Sequence, residues 1–168
     1  MHDFQIWLVT TIGGRSAIAD VMRTAWAWPL AESLHFLGLC LLIGAVGSFD
    51  LRLLGVGRRI PIAAMHRFIP WGLLGFAINI ATGTLFILTE PDQYIYNPAF
   101  RWKAIFVLCA GLNILVFYTS QFQKVSRLGP NEPIPLGAKL VGGFSLSLWL
   151  GVITAGRLLT FYRPPQLF

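Results

Sequence analysis

Glu32 and His35 stand three residues apart in the stretch Ala31-Glu32-Ser33-Leu34-His35-Phe36. Residues three apart share one face of a helix, so the spacing predicts a carboxylate beside an imidazole. A carboxylate neighbour fixes the tautomer of a histidine ring and suits it to be a metal ligand or a proton acceptor. The surrounding residues are apolar enough for a membrane span, where an ionisable group costs roughly 2.5–3.5 kcal/mol near the centre and is a functional-site hypothesis by default. Glu32 and His35 are therefore the candidate metal- and cofactor-binding residues. Arg101, Lys103 and Arg157 fall at about the same depth as this pair and are expected to surround it as a polar cluster. The structural alternative is that Glu32 pairs with one of these cations while His35 donates a hydrogen bond near the lipid headgroups.

His66 is the second histidine of interest, but His35 precedes Arg52, at the far end of the same span, by 17 residues. That is roughly 25 Å at 1.5 Å per residue. His66, beside Arg67, lies at that far end, so the two histidines cannot ligate one haem iron within a chain. A haem held by His35 alone, or one shared between subunits, stays open. Asp50 and Arg52 read as pairing and orientation residues, with Arg52 snorkelling to the interface. His2 offers a weak amino-terminal copper site, and the three scattered Met residues make no thioether relay. Phosphate-cradling glycine loops, Cys-x-x-Cys, His-Glu-x-x-His and nucleophile motifs are all missing from the sequence. No catalytic residue is assigned, and the sequence gives little reason to expect an enzyme.

The elements that must position these groups follow from composition. Apolar residues make up 55% of the 168-residue chain and charged residues 12%, about half the charge that a soluble domain carries. Four apolar runs, 29–54, 68–89, 99–122 and 136–161, each supply the roughly 20 residues that a helix needs to cross a hydrocarbon core. Turn residues separate them: 55–61, then Glu90-Pro91-Asp92, then 129–135 with three prolines. The expectation is an all-α integral membrane four-helix bundle over 29–168, preceded by an interfacial amphipathic segment over 1–28. Within that segment Phe4, Ile6, Trp7, Leu8 and Val9 form an apolar stretch too short to span. Ser16 is placed to cap a short helix with Ile18, Val21, Met22 and Ala25 on one stripe, and Trp26 and Trp28 fall where an aromatic belt would lie. No standard signal peptide is visible.

The net charge of +6 comes from basic residues at the ends of apolar runs, which argues for orientation in a bilayer and not for nucleic-acid binding. Arg52, Arg58, Arg59 and Arg67 flank the first loop, and Lys124, Arg127 and Lys139 the third, whereas the second has two acids and no base. The positive-inside rule then predicts loops one and three in the cytoplasm and both termini outside, although Arg101, Lys103, Arg157 and Arg163 weaken the asymmetry. Small residues recur every fourth position: Gly143, Ser147, Gly151 and Ala155 in the fourth span, Gly75, Asn79 and Gly83 in the second, Cys40, Gly44 and Ser48 in the first. Such stripes let helices approach closely, within a chain or between copies. Asn79 and Asn113, near the middles of their spans, are expected to face each other as an amide pair. Cys40 and Cys109 read as small packing residues.

Several stretches resemble a family of small bacterial inner-membrane proteins known only as a domain of unknown function. They are Ala31 to Phe36 as quoted above, Phe49-Asp50-Leu51-Arg52-Leu53-Leu54-Gly55, Pro70-Trp71-Gly72, Gly75-Phe76, Asn79, Thr82-Gly83, and Asn97-Pro98-Ala99-Phe100 followed by Lys103. The resemblance runs over about 29–120 and implies no activity. More distantly, a histidine near the outer end of the first of four spans resembles copper-resistance D-type membrane domains and four-helix b-type cytochromes. Those likenesses imply copper handling or haem-based electron transfer, while the Met-rich ligands of the first and the paired histidines of the second are missing. The functional expectation is a metal- or haem-binding accessory module of the bacterial inner membrane. Its competitor is a cofactor-free assembly subunit, a homo-oligomer or part of a larger membrane complex, with lipids as its other partners. A transporter using Asn79 and Asn113 is the third and weakest reading.

Overall fold

The computed structural model describes residues 17–162; the expectations placed on His2, the stretch 4–9, Ser16 and Arg163 lie outside them. Every regular element among the described residues is helical: α1 (Ala17–Met22), α2 (Ala27–Leu54), α3 (Ile62–His66), α4 (Ile69–Thr89), α5 (Pro91–Ile95), α6 (Pro98–Val116), α7 (Phe122–Val125) and α8 (Leu136–Leu158), with a π-helical turn, Phe117–Gln121, joining α6 to α7. Four helical segments are long and apolar enough to cross a membrane: α2, α3 with α4, α6 through α7, and α8. The protein is an all-α membrane bundle, as the composition requires. Leu37, Leu73, Leu108, Leu112 and Leu150 are all exposed, an apolar surface that lipid can cover and water cannot.

Local chemistry sets the ends. Gly55, at φ +100°, closes α2 in the left-handed conformation that glycine adopts without a Cβ penalty. Asn97 caps α6: its side-chain oxygen accepts from the Ala99 N–H at 2.9 Å, and Pro98 follows at the first helical position. The same side chain donates to the Leu159 carbonyl at 3.1 Å and so ties the start of α6 to the end of α8. Helix α1 docks on α4 by burying Ala19 and Met22 and leaves Ile18 and Val21 exposed, so only Met22 of the expected apolar stripe turns inward.

Helix α2 is central. It packs against α4 on one side and α8 on the other, α8 also packs against α6, and α4 and α6 hardly touch. The tightest crossing joins α2 to α4, where Gly75 sits against the Gly38 carbonyl and a Cβ on Gly38 would lie 2.9 Å from both Asn79 Nδ2 and the Gly75 carbonyl. The second-span stripe thus packs at Gly75, with Gly38 of α2 as its partner; the first-span stripe Cys40, Gly44 and Ser48 takes no part in this crossing. Those three point away from the neighbours: Cys40 and Ser48 are exposed, and a Cβ on Gly44 would meet nothing within 4 Å.

In α8 the expected stripe is split. Gly151 sits against the Phe106 ring, with a Cβ there 2.9 Å from it, and Ala155 is buried, whereas Ser147 is exposed and bonds only the Gly143 carbonyl of its own helix. The close approach to α2 is made by Gly142, one position away from the stripe, against Leu53 and the Asp50 carbonyl. The amide pair is also not formed. Asn79 donates to the Gly75 carbonyl at 2.9 Å, and Asn113 donates to the Val141 carbonyl of α8 at 3.1 Å. Each amide finds a main-chain acceptor nearer than the other amide.

Candidate functional site

His35 lies two turns into α2, half-buried against α4. Its Nδ1 is 2.7 Å from the Thr82 hydroxyl, and the ring sits 5.6 Å from that of Phe86, which in turn contacts Trp28 at 5.0 Å. The tautomer follows from counting hydrogens. Thr82 has one hydroxyl hydrogen, and it goes to the Ile78 carbonyl at 2.7 Å, as threonines in helices commonly donate. Toward His35 the hydroxyl can therefore only accept, so Nδ1 carries the hydrogen and donates. Nε2 is left with its lone pair, and it forms no hydrogen bond among the described residues. Gly83 lies beside this ring: a Cβ there would be 3.9 Å from His35 Cε1, an ordinary van der Waals contact.

Lys103 of α6 is close enough to His35 to act on it electrostatically. It is largely withdrawn from solvent and reaches α8, where a Cβ on Gly156 would lie 3.8 Å from Nζ, an ordinary van der Waals contact. Arg101 and Glu32 are exposed, and Arg157 lies over the Phe161 ring at 6.0 Å. The orienting partner of His35 is thus Thr82 from another helix. Sequence spacing missed it because 47 residues separate the two, and no local pattern reports such a contact.

His66 occupies the opposite end of α2. Its Nε2 is 3.0 Å from the Tyr118 hydroxyl, and its ring contacts those of Phe49, Tyr118 and Phe122. Phe49 is 14 residues from His35 along α2, roughly 21 Å, so the two histidines serve different ends of the bundle, as the spacing predicts. Arg52 departs from expectation. It is 2% exposed and does not snorkel. Its Nε donates to the Ile60 carbonyl at 2.6 Å and one terminal nitrogen to the Arg58 carbonyl at 3.2 Å, folding the loop after α2 back on the helix. Backbone carbonyls, not Asp50, are what this guanidinium holds.

The two cofactors implied by resemblance make different demands. A resident copper or zinc site takes its ligands from several side chains, and among the described residues no three His, Cys, Asp or Glu are grouped to hold an ion. That donor set does not fit. A haem brings four nitrogens of its own and asks the protein for one or two axial ligands. An imidazole with Nδ1 anchored and Nε2 free fits that smaller demand. Comparison of the chain with family models, with curated proteins and with solved structures returns no match.

Proposed function

We propose that this protein is a haem-binding accessory module of the bacterial inner membrane, with His35 as the protein's ligand to iron. The observation that carries this reading is the Thr82 anchor, which assigns the hydrogen of His35 to Nδ1 and leaves the Nε2 lone pair uncommitted. Haem histidines are oriented by such a partner on the far ring nitrogen. Lys103 supports the reading a second way: an ammonium beside the ring opposes a bare divalent cation, but it suits the carboxylates at a haem's edge. The bound iron would supply one-electron transfer, and the chain's own part is to orient the imidazole and balance the carboxylate charge. On the positive-inside assignment His35 lies toward the outer face, where it could meet an external electron donor or acceptor. Untagged protein purified from haem-replete cells is expected to contain about one iron per chain and a haem absorption spectrum, both lost in His35→Ala. Metal-free protein, or a spectrum unchanged by His35→Ala, would remove the proposal.

A second reading, a cofactor-free assembly subunit, is favoured by one observation: on α2, Cys40 and Ser48 are exposed, and a Cβ on Gly44 between them would meet none of the described residues within 4 Å. Such a strip is smooth enough for a second helix to approach. Gly44→Leu should then lower the oligomer mass in detergent without unfolding the chain, and an unchanged mass would count against it.

A further inference from the structure

Helices α6 and α8 leave a groove of about 560 Å³ between them, at the end of the bundle where α6 begins and α8 stops. Trp102 and Phe106 line it on one side and Gly151, Thr154 and Leu158 on the other, with Tyr162 just past the end of α8. Trp102, Thr154, Leu158 and Tyr162 are exposed, so the groove opens on the outside of the bundle, where a membrane helix meets acyl chains and not water. Along α6 it runs from Pro98 to Phe106, roughly 12 Å at 1.5 Å per residue. One leaflet of a hydrocarbon core about 30 Å thick is about 15 Å deep. The groove thus matches one acyl chain within one leaflet, in length and in polarity.

Two arginines flank the groove at its headgroup end. Asn97 donates to the Leu159 carbonyl at 3.1 Å, which sets the start of α6 level with the end of α8. Arg101 lies four residues into α6 from that tie and Arg157 two residues into α8, roughly 6 and 3 Å along the axes, so both stand at nearly one level. Each is three residues from a lining residue, Pro98 or Thr154, and so shares its side of the helix. The Arg157 guanidinium lies over the Phe161 ring at 6.0 Å, toward the end of the chain's last span. Both arginines are exposed, and neither forms an ion pair among the described residues. Unpaired guanidiniums at a membrane surface call for an anion, and their planar fork matches phosphate oxygens. A zwitterionic headgroup sets its own cation beside its phosphate; an anionic headgroup does not. A second copy of the chain fits less well: Trp102 and Tyr162 stand exposed in the path of an approaching helix, and a symmetric partner would bring its own arginines to the same level. We propose that the α6–α8 groove binds an anionic phospholipid, with one acyl chain along the groove and the phosphate between Arg101 and Arg157. On the positive-inside assignment this end faces outward, where basic residues are disfavoured, and a bound anion compensates them. The site shares no residue with that at His35 and does not depend on haem binding.

The test uses the full chain in detergent and two probes with identical acyl chains, phosphatidylglycerol and phosphatidylcholine, whose headgroups differ in net charge. Native mass spectrometry across a lipid titration counts the bound lipids and gives the affinity of the first. Wild-type protein is expected to bind its first phosphatidylglycerol about tenfold tighter than phosphatidylcholine, the order that two basic side chains near an anionic headgroup supply. Arg101→Gln combined with Arg157→Gln should remove that preference while phosphatidylcholine binding persists. Arg59→Gln combined with Arg67→Gln takes the same charge from two exposed residues at the other end of the bundle and should leave the preference intact. Thr154→Trp, at an exposed position on the groove wall, should fill the groove and abolish the tight first site. The proposal is overturned if wild-type protein shows no preference, or if the distant arginine pair matters as much as Arg101 and Arg157. It is equally overturned if Thr154→Trp leaves the first site unchanged. The same spectra report the number of chains: a dimer that Thr154→Trp splits, with lipid binding as in wild type, would put a second copy in the groove and overturn the proposal.

Discussion

Replacing Gly75 with alanine adds one methyl group at the point where α2 and α4 come closest. The new Cβ would stand against the Gly38 carbonyl, 2.7 Å from the Leu42 nitrogen and 2.9 Å from Leu41 Cβ. Carbon contacts are most favourable at about 3.5–4.0 Å, so the helices must part by roughly 1 Å. Two of the three obstacles are backbone atoms that cannot rotate away, which puts the cost near the upper end of the 1–3 kcal/mol found for overpacked cores. Alanine's better helix propensity returns about 1 kcal/mol, leaving a net destabilisation of about 2 kcal/mol. Gly44 supplies the control on the same helix pair. Its Cβ would meet nothing, so Gly44→Ala should only gain the propensity term and stabilise by up to about 1 kcal/mol. The two variants should therefore differ by about 3 kcal/mol, roughly a hundredfold in the folded-to-unfolded ratio. Equilibrium unfolding in mixed detergent micelles titrated with a denaturing detergent measures this difference. If the two alanines change stability equally, the Gly38–Gly75 crossing is not where the bundle is held.

Three further outcomes follow from the contacts. Asn97→Ala removes the cap of α6 and the donor to Leu159 together; about 2 kcal/mol should be lost, read as faster hydrogen exchange at both helix ends. Thr82→Val keeps the shape but deletes the acceptor that orients His35. Haem affinity should fall 10–100-fold in a haem titration, with His35→Ala as the null baseline, and an unchanged titration would mean that the anchor does not serve a ligand. Gly151→Leu drives a side chain into the Phe106 ring of the same chain, so it should destabilise the monomer by about 2–3 kcal/mol; loss of oligomer mass with monomer stability intact would contradict this.

The sequence was legible where a single helix decides the outcome. The four spans, the turns between them and the separation of His35 from His66 depend on length, hydropathy and rise per residue, all of which are local. Helix pairing depends on which of several small-residue faces meets which. Composition alone made Gly44 as good a candidate as Gly38, and Gly143 as good as Gly142, because each pair of choices differs by a rotation that hydropathy does not register when both faces are apolar. In water a polar face would have broken that tie; in lipid both faces are alike.

The same ambiguity explains why the candidate site was only half visible. Ionisable residues in an apolar run stand out by their cost, so His35 and Lys103 could be named, but the group that orients His35 is a threonine, which a span tolerates and which carries no such mark. Asp50 presents the converse case. Its neighbour Arg52 offers an obvious partner two residues away, yet residues two apart do not share a helix face, and the guanidinium turns to the carbonyls of Arg58 and Ile60 instead. That geometry leaves the carboxyl group buried and not neutralised by a pair. The expected pairing of Asp50 with Arg52 therefore does not form, because at this spacing the two side chains leave the helix on different faces. A buried carboxyl group without a pair needs another source of hydrogen bonds, and the Ser145 hydroxyl is the source within its reach.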